Sequence, residues 1–432
     1  MSGTSEKRGK VMERFQKYGF LNEIEEIIGE AKQKLEEPQA IEGSRVESMW
    51  FIDGSSVTEE RQGSFVAILS AASLGVISGR YVGGLPGREH LLPHIIMPKL
   101  YGEARAMNLM GVLELLEGIR ATELGVEALI FDGNYLALLL TGYGSIYELV
   151  SQARRALLNE NISLSKLLEE TDTKEKIDEA IDVLIGEVKS EKSLQAFYKS
   201  ASRILTRIYD LADELYNALA SNLLVKSLLG KKFLIDYSVL YVETNVYLRT
   251  LGIVLLQAKE KEVSPFWVAK ESTSRFLSEI LEVKGWLSDS VLLDTAWRDR
   301  EKVYLILEGR EDLKALRPVN PPSEPVASPE TIRLAYNWNK FDVVYFKASR
   351  HGQVLQATYP HNLISIDRVE DILSTLVSLS EKRSGYPKPL ALVHHKTLIP
   401  ATVAETLAYK FWQSSTGALK DILHPLGREI SL

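Results

Sequence analysis

The chain has 432 residues, 45% hydrophobic and 25% charged, a make-up that suits a soluble globular protein with one elaborated domain or a few ordinary ones. With 51 basic against 58 acidic residues the formal net charge is −7, so nucleic-acid binding would need a local basic groove or a partner that supplies one. The absence of cysteine excludes disulfides, thiolate zinc sites and a cysteine nucleophile; with no apolar leader and no run near about 18 apolar residues, a cytoplasmic protein without membrane contact is expected.

Residues 5–38 are charged and helix-forming, and Phe15, Phe20, Leu21, Ile24 and Ile28 predict an amphipathic helix pair closed by Pro38. The first strand is expected at 49–53, an apolar run ending in Asp53-Gly54-Ser55. The same device recurs where Ala128-Leu-Ile-Phe131 runs into Asp132-Gly133-Asn134. Each Asp-Gly reads as a tight turn at the end of a buried strand. Residues 64–82 carry no charge until Arg80 and predict two antiparallel strands around a Ser73-Leu74-Gly75 turn. In 84–99, His90 and His94 have the spacing of a helical metal pair, but Pro86, Pro93 and Pro98 favour a loop. A strong helix over 101–124 places Leu109, Val112, Leu113, Leu116 and Ile119 on its apolar side and carries Glu103, Glu114, Glu117 and Glu123. A strand at 127–132 follows.

From about 140 to 230 the pattern is helical, in two proline-free stretches at 146–169 and 174–228 that read as an inserted arm; a helix at 234–261 brings the chain back. Next come a strand at 265–270, a helix holding Arg275 and Leu277 to Leu281, and a strand at 302–307. The Pro-rich loop at 318–329 is the clearest flexible segment. An antiparallel pair is expected at 342–347 and 353–359, then a helix at 368–380, a Ser384-Gly-Tyr-Pro turn, and a last helix over 388–413 carrying His394 and His395. Three strands and then a helix resemble the opening of the ribonuclease H-like fold. The expected class is therefore α/β, a ribonuclease H-like mixed sheet flanked by helices. Its divisions are an N-terminal helical segment at 1–44, a core of 45–140 with 231–432, and a long helical insertion at 141–230.

Two carboxylates brought to one sheet edge repel each other unless a cation lies between them. Asp53 and Asp132 therefore point to a metal-dependent phosphodiesterase. Such an enzyme uses about four O or N ligands around ions about 3.5–4 Å apart. Asp53 would bridge, Asp132 would come from the neighbouring strand, and a glutamate from the intervening helix would close the inner face. A late histidine would favour manganese over magnesium. On the residues alone Asp-Gly is equally an ordinary turn. Glu114 and Glu117, one turn apart on nearly the same face, compete for the helix position, with Glu103 third. Lys270 reads either as a phosphate-neutralising group or as an exposed strand-end charge. No GxxxxGK[ST] is present, so a translocating motor would be another chain.

In order along the chain, FIDGS at 51–55, the helix with Glu114, IFDGN at 130–134, VAKESTSRFL at 268–277, YFKAS at 345–349 and GYPKPLALVHH at 385–395 resemble the NurA nuclease family. These are DNA-end resection nucleases of archaea and bacteria, built on a ribonuclease H-like core. The resemblance covers roughly 45–140 and 230–430, and the helical arm carries no family motif. It implies that Asp53, Glu114, Asp132 and His394 bind metal, with Tyr386 a further catalytic residue. On the residues alone Tyr386 is equally a half-buried turn aromatic and His394 a helix histidine, with His395 the neighbour to be told apart. By the same resemblance the cofactor is a pair of manganese ions, or magnesium, and Lys270 and Arg275 face the substrate. The implied activity is 5′-to-3′ exonuclease action on single- and double-stranded DNA, with single-strand endonuclease action. The implied partners are DNA, a second copy in a homodimer, and the hexameric ATPase HerA. Two other readings stand beside it: a non-catalytic scaffold for a DNA-repair ATPase, and an actin- or sugar-kinase-like ATPase, which would want Gly-rich adenosine motifs that are not found.

Overall fold

The apolar run at 49–52 is buried on both sides because it lies in the middle of a sheet covered on both faces. The computed structural model of the chain describes residues 20–159, 164, 168, 173–190, 193–270, 272–283, 287–307, 319–361 and 363–426. Helix α1 (Phe20–Lys34) and the short β1 (Gln39–Ala40) lead into β2 (Ser48–Glu60), β3 (Phe65–Ile77), β4 (Arg80–Pro86) and β5 (Leu92–Ile96). Helix α2 (Gly102–Glu123) and strand β6 (Ala128–Asp132) follow. Then come four long helices, α3 (Tyr135–Asn159), α4 (Thr173–Ser190), α5 (Leu194–Ala220) and α6 (Leu223–Glu260). The sheet resumes with β7 (Ser264–Ala269), the short helices α7 (Phe276–Ile280) and α8 (Asp289–Ala296), and β8 (Val303–Leu307). Helix α9 (Pro329–Ala335), strands β9 (Phe341–Lys347) and β10 (Leu355–Pro360), and helices α10 (Ile366–Leu379), α11 (Lys388–Thr397), α12 (Ala401–Ser414) and α13 (Gly417–Ile422) complete the described chain.

The ten strands form one mixed sheet in the order β1-β8-β9-β10-β7-β6-β2-β3-β4, with β5 also on β3. Strand β2 runs antiparallel to β3 and parallel to β6, which is parallel to β7. The expected pair β9–β10 is antiparallel and continues the sheet beyond β7. Side chains alternate across the strands. Trp50, Ile52, Leu129 and Phe131 join the core under α2 and the long helices, whereas Met49, Phe51, Ala128 and Ile130 join the core with Leu373 of α10 and Leu390 and Val393 of α11. This is the α/β class with a helix-flanked mixed sheet expected from the sequence.

Several local expectations change. No turn follows Asp53: all thirteen residues of β2 pair in register with β3, from Ser48 opposite Ile77 to Glu60 opposite Phe65. The turn expected at 73–75 is instead at Ser78-Gly79, whose positive φ values of 48° and 74° suit a two-residue hairpin. Gly75 stays in the strand because a Cβ there would run into the Trp50 ring. The segment expected as a loop around His94 contains β5, an edge strand on β3, where Pro93 costs no central ladder bond. His90 stacks on Tyr198 and His94 on Tyr209, both from α5, so they do not form a metal pair. Burial, then the Arg105 charge, pushes His94 down to about 4, so it stays neutral at ordinary pH. The last helix is broken at Pro400, giving α11 and α12.

The N-terminal helix is described from Phe20 onward, so Phe15 and the rest of the expected first helix lie outside the described residues; Ile24, Ile27 and Ile28 pack around Ala31, Val283 and Leu292. The helical run begins at Tyr135, and much of 160–172 lies outside the described residues. Its apolar faces do not form a separate core: one cluster runs from Trp50 and Leu113 through Tyr247 to Ile181 and Leu215. Part of the Pro-rich segment expected to be flexible is clamped to these helices. Pro325 O accepts from Tyr237 (2.8 Å), and buried Ser328 donates to Asp178 (2.5 Å) while its N–H donates to Asn245 (2.9 Å). Gly230, with φ 75° and ψ 158°, kinks α6. Among the described residues α6 alone is long and apolar enough to cross a membrane, but its apolar stretch is almost wholly buried inside the protein.

Candidate metal centre

Asp53 lies at the middle of β2 and faces the side covered by α11. Asp132 ends β6 one strand away, where Gly133 (φ 128°) turns the chain and Asn134 caps α3 by accepting from the Leu136 N–H (2.9 Å). Helix α11 delivers His394, whose Nδ1 is 2.9 Å from Asp53 Oδ2 and 3.8 Å from Asp132 Oδ2. One ligand atom from each of Asp53, Asp132 and His394 lies within 4.8 Å of the others. His395 is exposed and outside this group.

Glu114 approaches from α2 on the opposite face of the sheet, beside Gly54 and within electrostatic reach of Asp53 and Asp132, but it is not one of the three residues whose ligand atoms converge. It can approach because Gly54 has no side chain: a Cβ there would stand 2.7 Å from Met110 Cγ and 2.8 Å from Glu114 Oε1. The glycine after Asp53 is thus an opening through the sheet rather than a turn residue. Burial, and then the charges of Asp53 and Asp132, hold Glu114 well above the usual carboxylate range. Asp53 is pushed up to about 6 by burial and Asp132, against the lowering effects of His394 and the Gly54 N–H. Glu117, the competitor from sequence, is engaged elsewhere: it accepts from Trp50 Nε1 (2.8 Å), Ser73 Oγ (2.5 Å) and Arg120 (2.6 Å). Glu103 is exposed in the first turn of α2.

Lys270, just past β7, sets its Nζ 3.3 Å from Asp132 Oδ2 and 4.7 Å from the centre of the Tyr386 ring. The Tyr386 hydroxyl is buried; burial, then the nearby Asp132 and Asp53, raise it far above the ordinary tyrosine value. Arg275 occupies the position before the short α7, where its side chain makes no capping bond, and it makes no ion pair with these carboxylates among the described residues. The donor set fits a divalent cation. Two aspartates and an imidazole offer hard oxygen and borderline nitrogen, and the buried carboxylates destabilise one another unless a positive charge lies between them. The buried Tyr386 hydroxyl, close to Asp132, adds a further polar atom.

Two supports escape a reading of the sequence. Thr397, three residues beyond His394, donates to His394 O (2.8 Å) and lies 3.4 Å from Asp53 Oδ2. An (i, i+3) neighbour of a helix histidine is a signal that a sequence does carry. The second is a buried chain: Asn134 donates to Gln356 (3.3 Å), Gln356 to Ser274 (2.7 Å) and Tyr345 (3.2 Å), and Tyr345 to Asp289 (2.6 Å). It ties the turn after Asp132 to the segment after Lys270. Nothing local in the sequence announces it.

Substituting Gly54 by alanine is expected to displace the Glu114 carboxylate while leaving the sheet paired. Any metal-dependent activity of the centre should fall about 100-fold or more, a loss comparable to removing one preorganised polar group, with thermal unfolding shifted by only a few degrees. Steady-state rates beside a melting curve test this; an unimpaired rate would show that Glu114 does not act at the centre.

The family description of the NurA domain matches residues 47–399. No curated protein sequence matches the chain. Among solved structures it is similar to one described as "Crystal structure of NurA with manganese", with TM-score 0.62 and 17% identity over 92% of this chain and 98% of that one. It is also similar to "Crystal structure of NurA bound to dAMP and manganese", with TM-score 0.58 and 17% identity over 96% and 98% of the two chains. The NurA nuclease from Sulfolobus solfataricus aligns with TM-score 0.51 and 15% identity over 94% of this chain and 98% of its own. At such identities the likeness to these structures is one of fold.

Proposed function

Because the chain belongs to the NurA family, we propose that it is a metal-dependent DNA nuclease that hydrolyses phosphodiester bonds at the Asp53–Asp132–His394 centre. The observation that carries this is the convergence of those three side chains within 4.8 Å, with Glu114 entering through the opening at Gly54. Manganese, found in two of the similar NurA structures, is the favoured cofactor, held by Asp53, Asp132 and His394 with Glu114 closing the inner face; magnesium is the alternative. A pair of such ions would lower the pKa of an attacking water and offset charge on the reacting phosphate.

The protein's own groups do the rest. The Asp53 carboxylate, at His394 Nδ1, orients the His394 ring, while Thr397 donates to the His394 backbone carbonyl. Lys270, bound to Asp132, puts a cation where a phosphate would lie. Tyr386, kept protonated by its raised pKa, can donate a hydrogen bond to a phosphate oxygen. Arg275 supplies a second substrate contact from the loop that the Gln356 chain holds.

The finer assignment is a 5′-to-3′ exonuclease on single- and double-stranded DNA with single-strand endonuclease action, working in the cytoplasm in double-strand-break end resection. It would act as a homodimer beside a HerA-type hexameric ATPase, with the 1–44 segment and the outer face of the 141–230 arm supplying contacts.

The test is degradation of 5′- and 3′-labelled single- and double-stranded DNA in Mn²⁺, Mg²⁺ or EDTA, beside Asp132→Asn. Manganese-dependent degradation from the 5′ end that disappears in the variant is the expected result. Activity only when the ring ATPase is added would make the partner part of the enzyme. No degradation by the folded protein with or without it would leave the scaffold reading.

A further inference from the structure

A chain of net charge −7 needs a local cationic surface to hold a polyanion, and one lies against the metal centre. Two surface turns, 348–353 between β9 and β10 and 381–387 between α10 and α11, are laid side by side. Gln353 N–H donates to Ser384 O (3.2 Å) and Ser349 Oγ to Lys382 O (2.8 Å). Their backbones approach so closely that a Cβ on Gly352 would sit 2.7 Å from Gly385 Cα. The Gln353 side chain then donates to Lys270 O (3.0 Å), and Lys270 reaches Asp132 at 3.3 Å. The paired turns are therefore joined by direct contacts to the carboxylates.

Their exposed charge is almost all of one sign. Lys382 and Arg383 in the second turn, and Lys388 at the start of α11, are exposed and make no ion pair among the described residues. Arg350 pairs with Asp299 (2.6 Å), and the one acid in these turns, Glu381, accepts from Ser384 Oγ (3.0 Å). Three exposed cations against the single acid Glu381 favour an anion over the empty surface.

We propose that this ridge holds the DNA strand beside the cleavage centre, with Lys382, Arg383 and Lys388 on phosphates that flank the scissile one. The proposal rests on the nuclease reading for the identity of its ligand. From Lys388 to His394 is six residues of helix, about 9 Å, far enough for Lys388 to meet a phosphate next to the one at the centre. Contacts of this kind go to the backbone, so the ridge supplies affinity and register without sequence preference.

The test measures binding of a labelled oligonucleotide in EDTA, where hydrolysis plays no part, for the native protein and for the triple variant Lys382→Gln/Arg383→Gln/Lys388→Gln. A second triple variant, Lys176→Gln/Lys199→Gln/Lys226→Gln, makes the same charge change on exposed positions of the arm. The ridge variant is expected to bind at least about 30-fold more weakly at 0.1 M salt. Its plot of log affinity against log salt should flatten by about 2, as loss of two to three phosphate contacts requires. The arm variant should match the native protein. An unchanged slope in the ridge variant, an equal loss in the arm variant, or no binding by the native protein at low salt would each overturn the proposal. Manganese-dependent hydrolysis of a p-nitrophenyl ester of thymidine 5′-phosphate is measured alongside. It should be equal in native and ridge variant, and its absence from both would strike the nuclease reading while the binding data still decide the ridge.

Discussion

Replacing Asp53 with asparagine is expected to abolish DNA hydrolysis and, in the same molecule, to make the metal-free protein harder to unfold. The first effect follows from removing the carboxylate nearest the centre of the cluster, a loss of 10³-fold or more by analogy with other electrostatic groups in active sites. The second follows from its raised pKa. Burial and the neighbouring Asp132 lift Asp53 from 3.8 to about 6. The folded state therefore holds this proton more tightly than the unfolded chain, and stability from this group is lost as pH rises from about 4 to about 6. Above that window the full penalty, about 3 kcal/mol from a shift of about two units, is present; below pH 4 it vanishes. Asparagine keeps an acceptor for the Gly54 N–H without the charge. Denaturant unfolding in EDTA should find the variant about 1–3 kcal/mol more stable at pH 7.5, with the gap closing at pH 4.5. A variant less stable at both values would mean that Asp53 is not electrostatically strained. Adding Mn²⁺ should stabilise the native protein more than the variant, since only the native site gains from the bound charge.

A loss of comparable size, in stability rather than rate, is expected at the pair Arg105–Glu243. The two side chains are 1% and 4% exposed. Arg105 Nε and Nη2 donate to the two carboxylate oxygens at 2.7 and 2.8 Å, and the same guanidinium donates to the carbonyls of Met97, Pro98 and Leu100. It thereby ties α2 to α6 and fixes the loop before α2. Glu243→Ala leaves a buried guanidinium without its counter-charge and should cost about 3–5 kcal/mol. The double variant Arg105→Met/Glu243→Leu should recover part of that loss, and not all, because three carbonyls lose their donor. Urea unfolding measures both. A single-variant change below about 1 kcal/mol would show that water reaches the pair.

Much of the centre is legible in the sequence because an acid that ends an apolar run is expensive to bury, so Asp53 and Asp132 stand out. His394 is singled out only by the resemblance of GYPKPLALVHH to the family pattern; on the residues alone it reads equally as a helix histidine. The choice between Glu114 and Glu117 is not legible, since both lie on nearly one helix face. It depends on Trp50 and Ser73, which engage Glu117 from the sheet, and on the opening at Gly54 that admits Glu114. The same opening explains the misplaced strand end: Gly54-Ser55 has the composition of a turn, and the reason it is not one lies in a helix far along the chain. At Ser78-Gly79 a two-residue hairpin looks no different from any Ser-Gly, whereas Gly75 answers to the Trp50 ring. Long helices are the easy case. Their periodicity is local, and even there the Pro-rich loop clamped by Tyr237 and Asp178 depends on partners that sequence spacing does not reveal.

Helix α6 also bears on how the chain is made. Its middle is apolar enough to be taken for a membrane anchor, which is a hazard while the polypeptide is still leaving the ribosome. Its two main partners, α2 and α5, precede it in the sequence. Translation therefore delivers the greasiest segment after the surfaces that cover it. Strands β9 and β10, and the helices α10 and α11 that cover the other face of β2 and β6, are added later.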